Sequence, residues 1–365
     1  MSKSPSFDSE RAYQHTRALC YPRRVGTPRE RRAARYIWRQ FTALGLACER
    51  EPFLVSHFSA EIGNRIAFVL AALLVLGAVL LLGVEPLLAV ACWSAGLFAV
   101  NAPWRLGKLF GTRWPPCITS HNVLATLPKK PIEAPARIVF MAHYDTKSQL
   151  LPTGVRVALI ACMTVLCGAG VALGILTTLG VDAASPVVSR SLGTTAVVLL
   201  AALALNVTGN SSPGALDNGS AVGTLLELAR GWRPRPELPV EVYWVASGSE
   251  EVELDGARHF LSRRETWWQD KPTLLINLES VGAGQCVYLA GEPQSLHLAR
   301  ETADELGVPH GRLRVVGAGM DHEPFAARGL TALSILGDVV GESLALHTPR
   351  DDMRLIDRAA LHRAG

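Results

Sequence analysis

Residues of the types that bind metal ions in proteins recur along this chain of 365 residues, from position 143 to position 347. Two are histidines and three are carboxylates, each in a short polar motif: His143, Asp217, Glu251, Glu279 and His347. Imidazole and carboxylate ligands together suit zinc. Glu250 directly precedes Glu251, and a carboxylate beside a ligand can take a proton from an attacking water molecule. The set predicts a metal-dependent hydrolase site.

The elements around these residues predict an α/β fold. Continuous apolar runs, typical of buried strands in a mostly parallel sheet, cover residues 137–143, 240–246, 273–278 and 330–336. The first run ends at His143, the second just before Glu250 and the third just before Glu279. Asp217 is predicted to begin a helix that continues through Ala229. Since open α/β sheets place their sites at strand ends, the five residues are expected to meet there.

The amino-terminal part predicts a helix and two further strands. Thr27 can cap a helix with Pro28 in its first turn, Glu30 completes a capping box, and Gly45 can end the helix. The two early strands are expected around residues 49–55 and 122–127.

Four long apolar segments interrupt this pattern, at residues 66–84, 87–104, 157–181 and 192–207. The first and third are uncharged and about as long as a bilayer-spanning helix requires. A single span would leave the two halves of a split site on opposite sides of the membrane, so each span needs a returning partner. The segments therefore predict two transmembrane hairpins, at residues 64–110 and 154–207, with a polar turn at 182–190.

The charges that flank the hairpins predict their orientation. Basic residues lie on the side of the α/β part: Arg65, Arg105, Lys108, Arg113, Lys147 and Arg156. The hairpin tips carry Glu85, Asp182 and Arg190. The positive-inside rule then places the α/β part and the amino terminus in the cytoplasm. The polar start of the chain predicts no cleavable signal peptide.

Composition excludes other classes of protein. The net charge of +4 is small and much of the arginine lies beside apolar segments, so no nucleic-acid partner is expected. The seven cysteines lack paired spacing, which argues against a disulfide framework and agrees with a reducing compartment. The oligomeric state is not predicted.

With these motifs in place, residues 10–60, 117–150 and 208–357 resemble the di-zinc aminopeptidases and glutamate carboxypeptidases of metallopeptidase family twenty-eight in clan MH. The resemblance implies a three-layer sandwich with a mixed, mostly parallel sheet, a peptide substrate and two Zn²⁺ ions. It implies that His143 and Glu279 bind the first zinc, Glu251 and His347 bind the second, and Asp217 bridges both. Glu250 matches the family's general base. Asp145 matches the carboxylate that orients the histidine ligand.

The chain also departs from the family pattern. Glu279 stands where the family more often has Asp, and Leu346 stands where a Tyr often helps to stabilise the oxyanion. Asp321 and His322 resemble a loop near the substrate and are predicted substrate-binding residues. From His143 to Asp217 is 217 − 143 = 74 positions, whereas the family needs only a short loop. Removing the hairpin at 154–207 restores that loop.

The sequence therefore predicts one discontinuous zinc peptidase domain, formed by residues 1–63, 111–153 and 208–365, with two hairpins that anchor it in a lipid bilayer. Its predicted activity is that of an exopeptidase, most simply an aminopeptidase. A single-zinc acyltransferase like the glutaminyl cyclases, which share the fold, is one alternative, although both ligand sets are present. An inactive membrane adaptor is another, although such proteins lose ligands or the base. A transporter is disfavoured because the apolar segments lack intramembrane charges.

Overall fold

The computed structural model describes residues 7–101, 117–128, 134–181, 185–232, 240–313 and 319–365. The chain divides into two compact units. The first, here called the sheet unit, comprises Met1–Val55, Ile118–Ser148 and Gly209–Gly365. The second, here called the helical unit, comprises Ser56–Cys117 and Gln149–Thr208. The predicted hairpin and domain boundaries remain predictions.

The ten strands of the described residues are β1 Ala47–Ser56, β2 Cys117–Thr126, β3 Ala136–His143, β4 Ser148–Gln149, β5 Thr208–Gly209, β6 Val240–Ser247, β7 Thr273–Glu279, β8 Val287–Gly291, β9 His310–Arg312 and β10 Thr331–Leu336. The sheet unit is built on an eight-stranded mixed sheet with the order β1-β2-β6-β3-β7-β10-β8-β9. Strands β6, β3, β7 and β10 run parallel, whereas β2 and β8 pair antiparallel to β6 and β10. The predicted α/β fold with a mostly parallel sheet is confirmed. The two-residue strands β4 and β5 pair only with each other.

The register of the central strands brings their carboxyl ends together. His143, the last residue of β3, is paired with Ser247, the last residue of β6. On the other side of β3, Met141 is paired with Asn277 of β7, two residues before Glu279. The sheet therefore presents the ends of β6, β3 and β7 along one edge, as the sequence predicted.

Twelve helices are described: α1 Ser9–Leu19, α2 Pro28–Ala43, α3 Asn64–Leu81, α4 Pro86–Asn101, α5 Thr153–Thr178, α6 Pro186–Ala204, α7 Ala221–Gly231, α8 Asp255–Ser262, α9 Trp267–Asp270, α10 Pro293–Glu305, α11 Glu323–Ala326 and α12 Arg358–Ala364. The predicted capping of α2 is present, since the Thr27 side chain accepts a hydrogen bond from the Glu30 N–H. The Glu30 carboxylate, however, accepts from the Gly26 N–H at 2.7 Å and not from Thr27.

The predicted helix start at Asp217 is wrong. Asp217 has φ −109° and ψ 92°, within an irregular turn at Ala215–Ser220, and α7 begins only at Ala221. Two tertiary contacts hold this turn away from helical geometry. The Asp351 carboxylate accepts hydrogen bonds from the Leu216 and Asp217 N–H groups, and the Asn218 side chain donates to the Leu278 carbonyl.

Alternating side chains of the central strands pack against helices on both faces of the sheet. On one face Ala142 and Trp244 join a buried cluster with residues of α1, α2 and α7, including Leu19, Ile37, Phe41 and Leu225. On the other face Val139, Met141 and Val245 join a cluster with residues of α8 and α11, including Phe260 and Phe325. The result is the three-layer arrangement that the resemblance implied.

The helical unit contains α3 to α6. Three of its helical segments are long and apolar enough to cross a membrane: Ala60–Leu81, Thr153–Thr178 and Pro186–Ala204, of 22, 26 and 19 residues. Helix α4 is also apolar but has 16 described residues. Residues 102–110 of the predicted first hairpin, which include the end of its second span at 102–104, lie outside the described residues, as do Arg113 and Asp182. Arg190 was predicted to lie in a polar turn but lies inside α6, because Ser185 caps that helix and Pro186 begins it.

Within the helical unit, α3 packs against α4 and α6, and α5 packs against the same two helices. Trp93 of α4 is buried against Gly170 of α5, where a β-carbon on the glycine would lie 2.3 Å from the indole ring. Each helix also presents a large apolar side chain that is at least 70% exposed: Leu80, Leu87, Val165 and Val187. Such exposed apolar surface is unfavourable in water and is expected where a surface faces lipid.

Candidate metal centre

The structure brings the predicted ligand residues together in two groups that share Asp217. One group consists of His143, Asp217 and Glu279, and the other of Asp217, Glu251 and His347. In each group one nitrogen or oxygen atom per residue lies within 4.8 Å of the others. All five side chains are buried or nearly so, which keeps water from competing for the charged atoms.

Asp217 divides its two carboxylate oxygens between the groups. Its Oδ1 lies 3.2 Å from His143 Nε2, and its Oδ2 lies 3.1 Å from His347 Nε2. His143 Nε2 also lies 3.2 Å from Glu279 Oε1. His347 Nε2 lies 3.2 Å from Glu251 Oε1. One carboxylate can therefore serve two cations that sit side by side.

The sheet and its connections position each of these residues. His143 and Glu279 are the last residues of the neighbouring strands β3 and β7. Glu250 and Glu251 follow β6, and His347 lies in the segment after β10 with φ +61°. The Asp217 turn is fixed to the end of β7, because the Ser280 N–H donates to Asn218 Oδ1 at 2.8 Å.

Asp145 holds the turn that carries Glu250 and Glu251. Its two carboxylate oxygens accept hydrogen bonds from the backbone N–H groups of these residues, at 3.1 and 3.2 Å. Asp145 Oδ1 also lies 3.6 Å from His143 Nδ1, which is a charge contact longer than a hydrogen bond. Asp145 thus anchors the neighbouring turn and lies beside His143, and its role in orienting that histidine stays a prediction.

Glu250 lies beside both groups without belonging to either. Its Oε2 is 3.8 Å from His143 Nε2, farther than any of the candidate ligand oxygens. Burial raises the pKa of Glu250 well above its usual range, and the neighbouring carboxylates Glu251 and Glu279 raise it further. A carboxyl group with a raised pKa in a confined polar site is suited to proton transfer.

Two of the ligand carboxylates, Glu251 and Asp217, are kept ionised by their neighbours, whereas burial raises the pKa of Glu279. Burial opposes ionisation of Glu251, but His347 and Lys147 hold its pKa at about 2. Lys147 Nζ lies 2.8 Å from Glu251 Oε2, the oxygen that faces away from His347. Burial also opposes ionisation of Asp217, whose pKa is nevertheless held well below its usual range by His143 and His347.

Asp321 and His322, the predicted substrate-binding residues, are buried, with 0% and 5% of their surface exposed. The Ser247 hydroxyl donates to Asp321 Oδ2 at 2.5 Å. His322 Nδ1 is 2.7 Å from Ser334 Oγ. These contacts favour a role in supporting β6 and β10, and direct contact with substrate stays a prediction.

Sequence reasoning did not find three residues whose side chains hydrogen-bond to the segments that carry the candidate ligands: Arg23, Asn218 and Asp351. Asn218 lies within the recognised motif Asp217-Asn218-Gly219, and Asp351 follows His347 after three intervening residues, but their polar types alone indicate turns. Arg23 is 120 positions from His143 in sequence (143 − 23 = 120), and no local pattern marks it.

Comparison with known proteins then identifies the family, since residues 122–365 match the profile described as Peptidase family M28. The chain belongs to peptidase family M28. Membership confirms the resemblance drawn from the sequence and the predicted enzyme class, a zinc metallopeptidase.

Individual members of the family and fold resemble this chain to different extents. It is 30% identical over 165 residues to aminopeptidase YwaD of Bacillus subtilis strain 168, which is 42% of this chain and 36% of that protein. The chain thus matches about a third of the length of this relative. Among solved structures, a zinc aminopeptidase from Bacillus subtilis superposes with a TM-score of 0.59 at 17% identity, covering 99% of this chain and 93% of that one.

The fold is also similar to that of Porphyromonas gingivalis glutaminyl cyclase, with a TM-score of 0.53 at 18% identity, covering 98% of this chain and 94% of that one. At such identities these likenesses confirm the fold of this M28 chain and leave its reaction to be argued from the site.

Proposed function

We propose that this M28 protein is a membrane-anchored aminopeptidase that uses two zinc ions and Glu250 as general base. The single observation that carries the proposal is the division of Asp217 between His143 and His347, each of which has a further carboxylate beside it. A structural ion pair would need only one histidine per carboxylate, whereas this arrangement provides two adjacent sets of donors around one bridge.

The donor atoms fit zinc on chemical grounds. Each set consists of one imidazole nitrogen and two carboxylate oxygens, the types that zinc accepts in catalytic sites with an open position for water. Four carboxylates, those of Asp217, Glu250, Glu251 and Glu279, are crowded into a buried space. Their mutual repulsion and lost hydration are unfavourable unless cations compensate them, and two dications would do so.

Zinc bound there supplies a lowered pKa for water and a polarised scissile carbonyl. The chain's own residues do the rest. The Glu250 carboxylate accepts a proton from the attacking water and returns it to the leaving amine. Asp145 keeps Glu250 in place through the backbone hydrogen bond at 3.1 Å, which does not depend on the protonation of Glu250. Leu346, in place of the family's Tyr, is buried and has no polar group to offer an oxyanion.

The membrane part of the proposal is that α3 to α6 form two spanning hairpins with the peptidase in the cytoplasm. At about 1.5 Å per residue, the segments of 22, 26 and 19 residues measure roughly 33, 39 and 28 Å, close to the roughly 30 Å of a bilayer core. Helix α4 spans only about 24 Å in its described part. Its packing between α3 and α5 and its exposed Leu87 support a fourth span.

One experiment tests the activity and separates the alternatives. The purified protein in detergent is stripped of metal, reloaded with zinc and analysed for zinc per chain. It is then incubated with a peptide that begins with Gln and with the same peptide acetylated at its amino terminus. The proposal expects two zinc ions, release of free Gln from the first peptide and no cleavage of the second.

Other outcomes would assign a different function. One zinc per chain, with conversion of the amino-terminal Gln to a cyclic product and release of ammonia, would establish the cyclase alternative. Removal of the carboxyl-terminal residue from the acetylated peptide would make the protein a carboxypeptidase. Zinc binding without turnover on a panel of aminoacyl and acidic dipeptides would favour the inactive adaptor.

A further inference from the structure

Arg23 is the most completely buried basic side chain beside the metal centre, with 0% of its surface exposed. It lies in the segment between α1 and α2, which the activity proposed above does not use. Burying a guanidinium is unfavourable unless its N–H groups are hydrogen-bonded. The structure provides these partners from the backbone.

The guanidinium of Arg23 donates to carbonyls on both sides of the candidate centre. Its Nε donates to the Tyr144 carbonyl at 2.6 Å, in the motif that carries His143. Its Nη1 and Nη2 donate to the Pro213 and Gly214 carbonyls at 2.7 and 2.8 Å, in the turn that leads to Asp217. Nη1 also donates to the carbonyls of Leu19 and Tyr21.

The backbone of Arg23 adds to this connection. Its N–H donates to Thr146 Oγ1 at 2.9 Å, and its carbonyl accepts from the Thr146 N–H at 3.4 Å. The side chain and main chain of one residue thus hold the segment from Tyr144 to Thr146. The planar guanidinium fixes the directions of its donors, which a flexible ammonium group cannot do.

The two segments approach each other closely around Arg23. Gly214 has φ +59°, and a β-carbon there would lie 2.2 Å from Thr146 Cγ2 and 2.6 Å from the Asp217 carbonyl oxygen. The distance between the two segments is therefore set by the direct contact of Gly214 with Thr146 and by the guanidinium of Arg23, which hydrogen-bonds to both. His143 and Asp217 leave these same segments, and their facing atoms are 3.2 Å apart.

We propose that Arg23 is a positioning residue for metal binding: its guanidinium sets the distance between the His143 and Asp217 segments and thereby the geometry of the two sites that share Asp217. The inference rests on the proposed two-zinc site. Arg23 touches neither metal nor substrate and acts through the backbone of the segments that it joins.

The test compares zinc binding by the wild type and by Arg23→Met and Arg23→Lys variants of the full chain in detergent. Zinc affinity is measured by competition with a chelator, and the thermal unfolding midpoint of the metal-free protein is measured in parallel. Affinities are compared well below the lowest midpoint, so that a larger unfolded fraction cannot account for weaker binding.

Arg137 provides a matched control. It is also buried and donates to the carboxylates of Glu241 and Asp270, but it lies at the start of β3, about 20 Å along the strand from His143. Arg137→Met should lower the unfolding midpoint and leave zinc affinity unchanged. Arg23→Met should lower zinc affinity on the order of 10- to 100-fold, the usual effect of removing a group that orients ligands. Arg23→Lys should fall between Arg23→Met and the wild type.

Cobalt provides a second readout, since the visible absorption of Co²⁺ reports ligand geometry. The spectrum should change in Arg23→Met and not in Arg137→Met.

Zinc affinity of Arg23→Met within about twofold of the wild type would overturn the inference, as would an equal loss of zinc affinity in Arg137→Met. If Arg23→Met does not fold, wild-type affinity in Arg23→Lys would overturn it. A wild-type protein that binds no zinc would overturn the proposed function itself, whereas zinc binding that is indifferent to Arg23 would refute only this inference.

Discussion

Replacing Glu250 with Gln should abolish most turnover and leave both metal sites intact. The change keeps the size of the side chain and removes only its ability to accept a proton. General base catalysis contributes about 10²- to 10⁴-fold, so kcat should fall by that factor, equivalent to roughly 3–5 kcal/mol in the activation barrier. KM should change little, because Glu250 lies 3.8 Å from His143 Nε2 and is not expected to bind metal or hold the ground-state peptide.

The structure also indicates what the substitution should not do. Glu250 is held by its backbone N–H, which donates to Asp145, so the turn should remain in place. Since burial and neighbouring carboxylates raise the pKa of Glu250, its ionised form is disfavoured in the metal-free protein, and a neutral amide should not destabilise that state.

The assay is steady-state hydrolysis of aminoacyl coumarin amides, with zinc per chain determined on the same preparation. Glu251→Gln is the matched control, because it makes the same change one residue later, at a carboxylate whose Oε1 is 3.2 Å from His347 Nε2. That variant should lose one zinc. If Glu250→Gln retains more than about a tenth of kcat, the loss is smaller than removal of a general base causes, and the assigned role is refuted. Equal zinc loss in the two variants would refute the distinction between base and ligand.

Further predictions concern the bridge, a buried carboxyl and the membrane. Asp217→Ala should weaken binding of both zinc ions together, whereas His347→Ala should weaken only one; equilibrium dialysis that finds two zinc ions on Asp217→Ala would exclude the bridge. Burial raises the pKa of Glu30 to about 7 against its hydrogen bond from Ser120, so its contribution to stability should be full below about pH 4.5 and be lost as the pH rises from there to about 7, by at most about 3 kcal/mol. Glu30→Gln should remove this decline between pH 5 and 8.5 in thermal unfolding, and an unchanged pH dependence would contradict the assignment. The protein should resist extraction by carbonate, and a reporter near Glu85 should lie outside the cytoplasm while one at the amino terminus lies inside; the reverse result would contradict the orientation.

The sequence predicts the sheet well because its strands are continuous apolar runs that end at polar motifs. The strands predicted at residues 137–143 and 273–278 agree with β3 and β7 to within one residue at each end. Because the sheet was predicted to be mostly parallel, His143 and Glu279 were expected at the same edge. The candidate ligands could be found because each is an ionisable residue at the end of such a run.

What the sequence does not predict is set by hydrogen bonds between distant segments. The start of α7 was misplaced because Asp351 and Asn218 hold the Asp217 turn in a non-helical conformation. The role proposed for Arg23 depends on backbone carbonyls, which every residue type supplies and which therefore leave no mark in the sequence. The start of α6 was missed because residues 182–190 were interpreted as a polar turn, although Ser185 and Pro186 are strong start signals.

The pairing of β4 with β5 has a consequence for how the centre assembles during folding. The Leu150 N–H donates to the Val207 carbonyl at 3.2 Å, so the ends of the α5–α6 segment are joined to each other. Once this segment has formed, the path from His143 to Asp217 is no longer a loop of 74 positions but one of roughly 18, which lowers the entropic cost of closing it by about 1.3 kcal/mol. Formation of the two helices thus makes it easier to bring the candidate ligands together. Because β4 and β5 join the two ends of this segment, a change in the length of its helices would leave the effective loop between His143 and Asp217 unaltered.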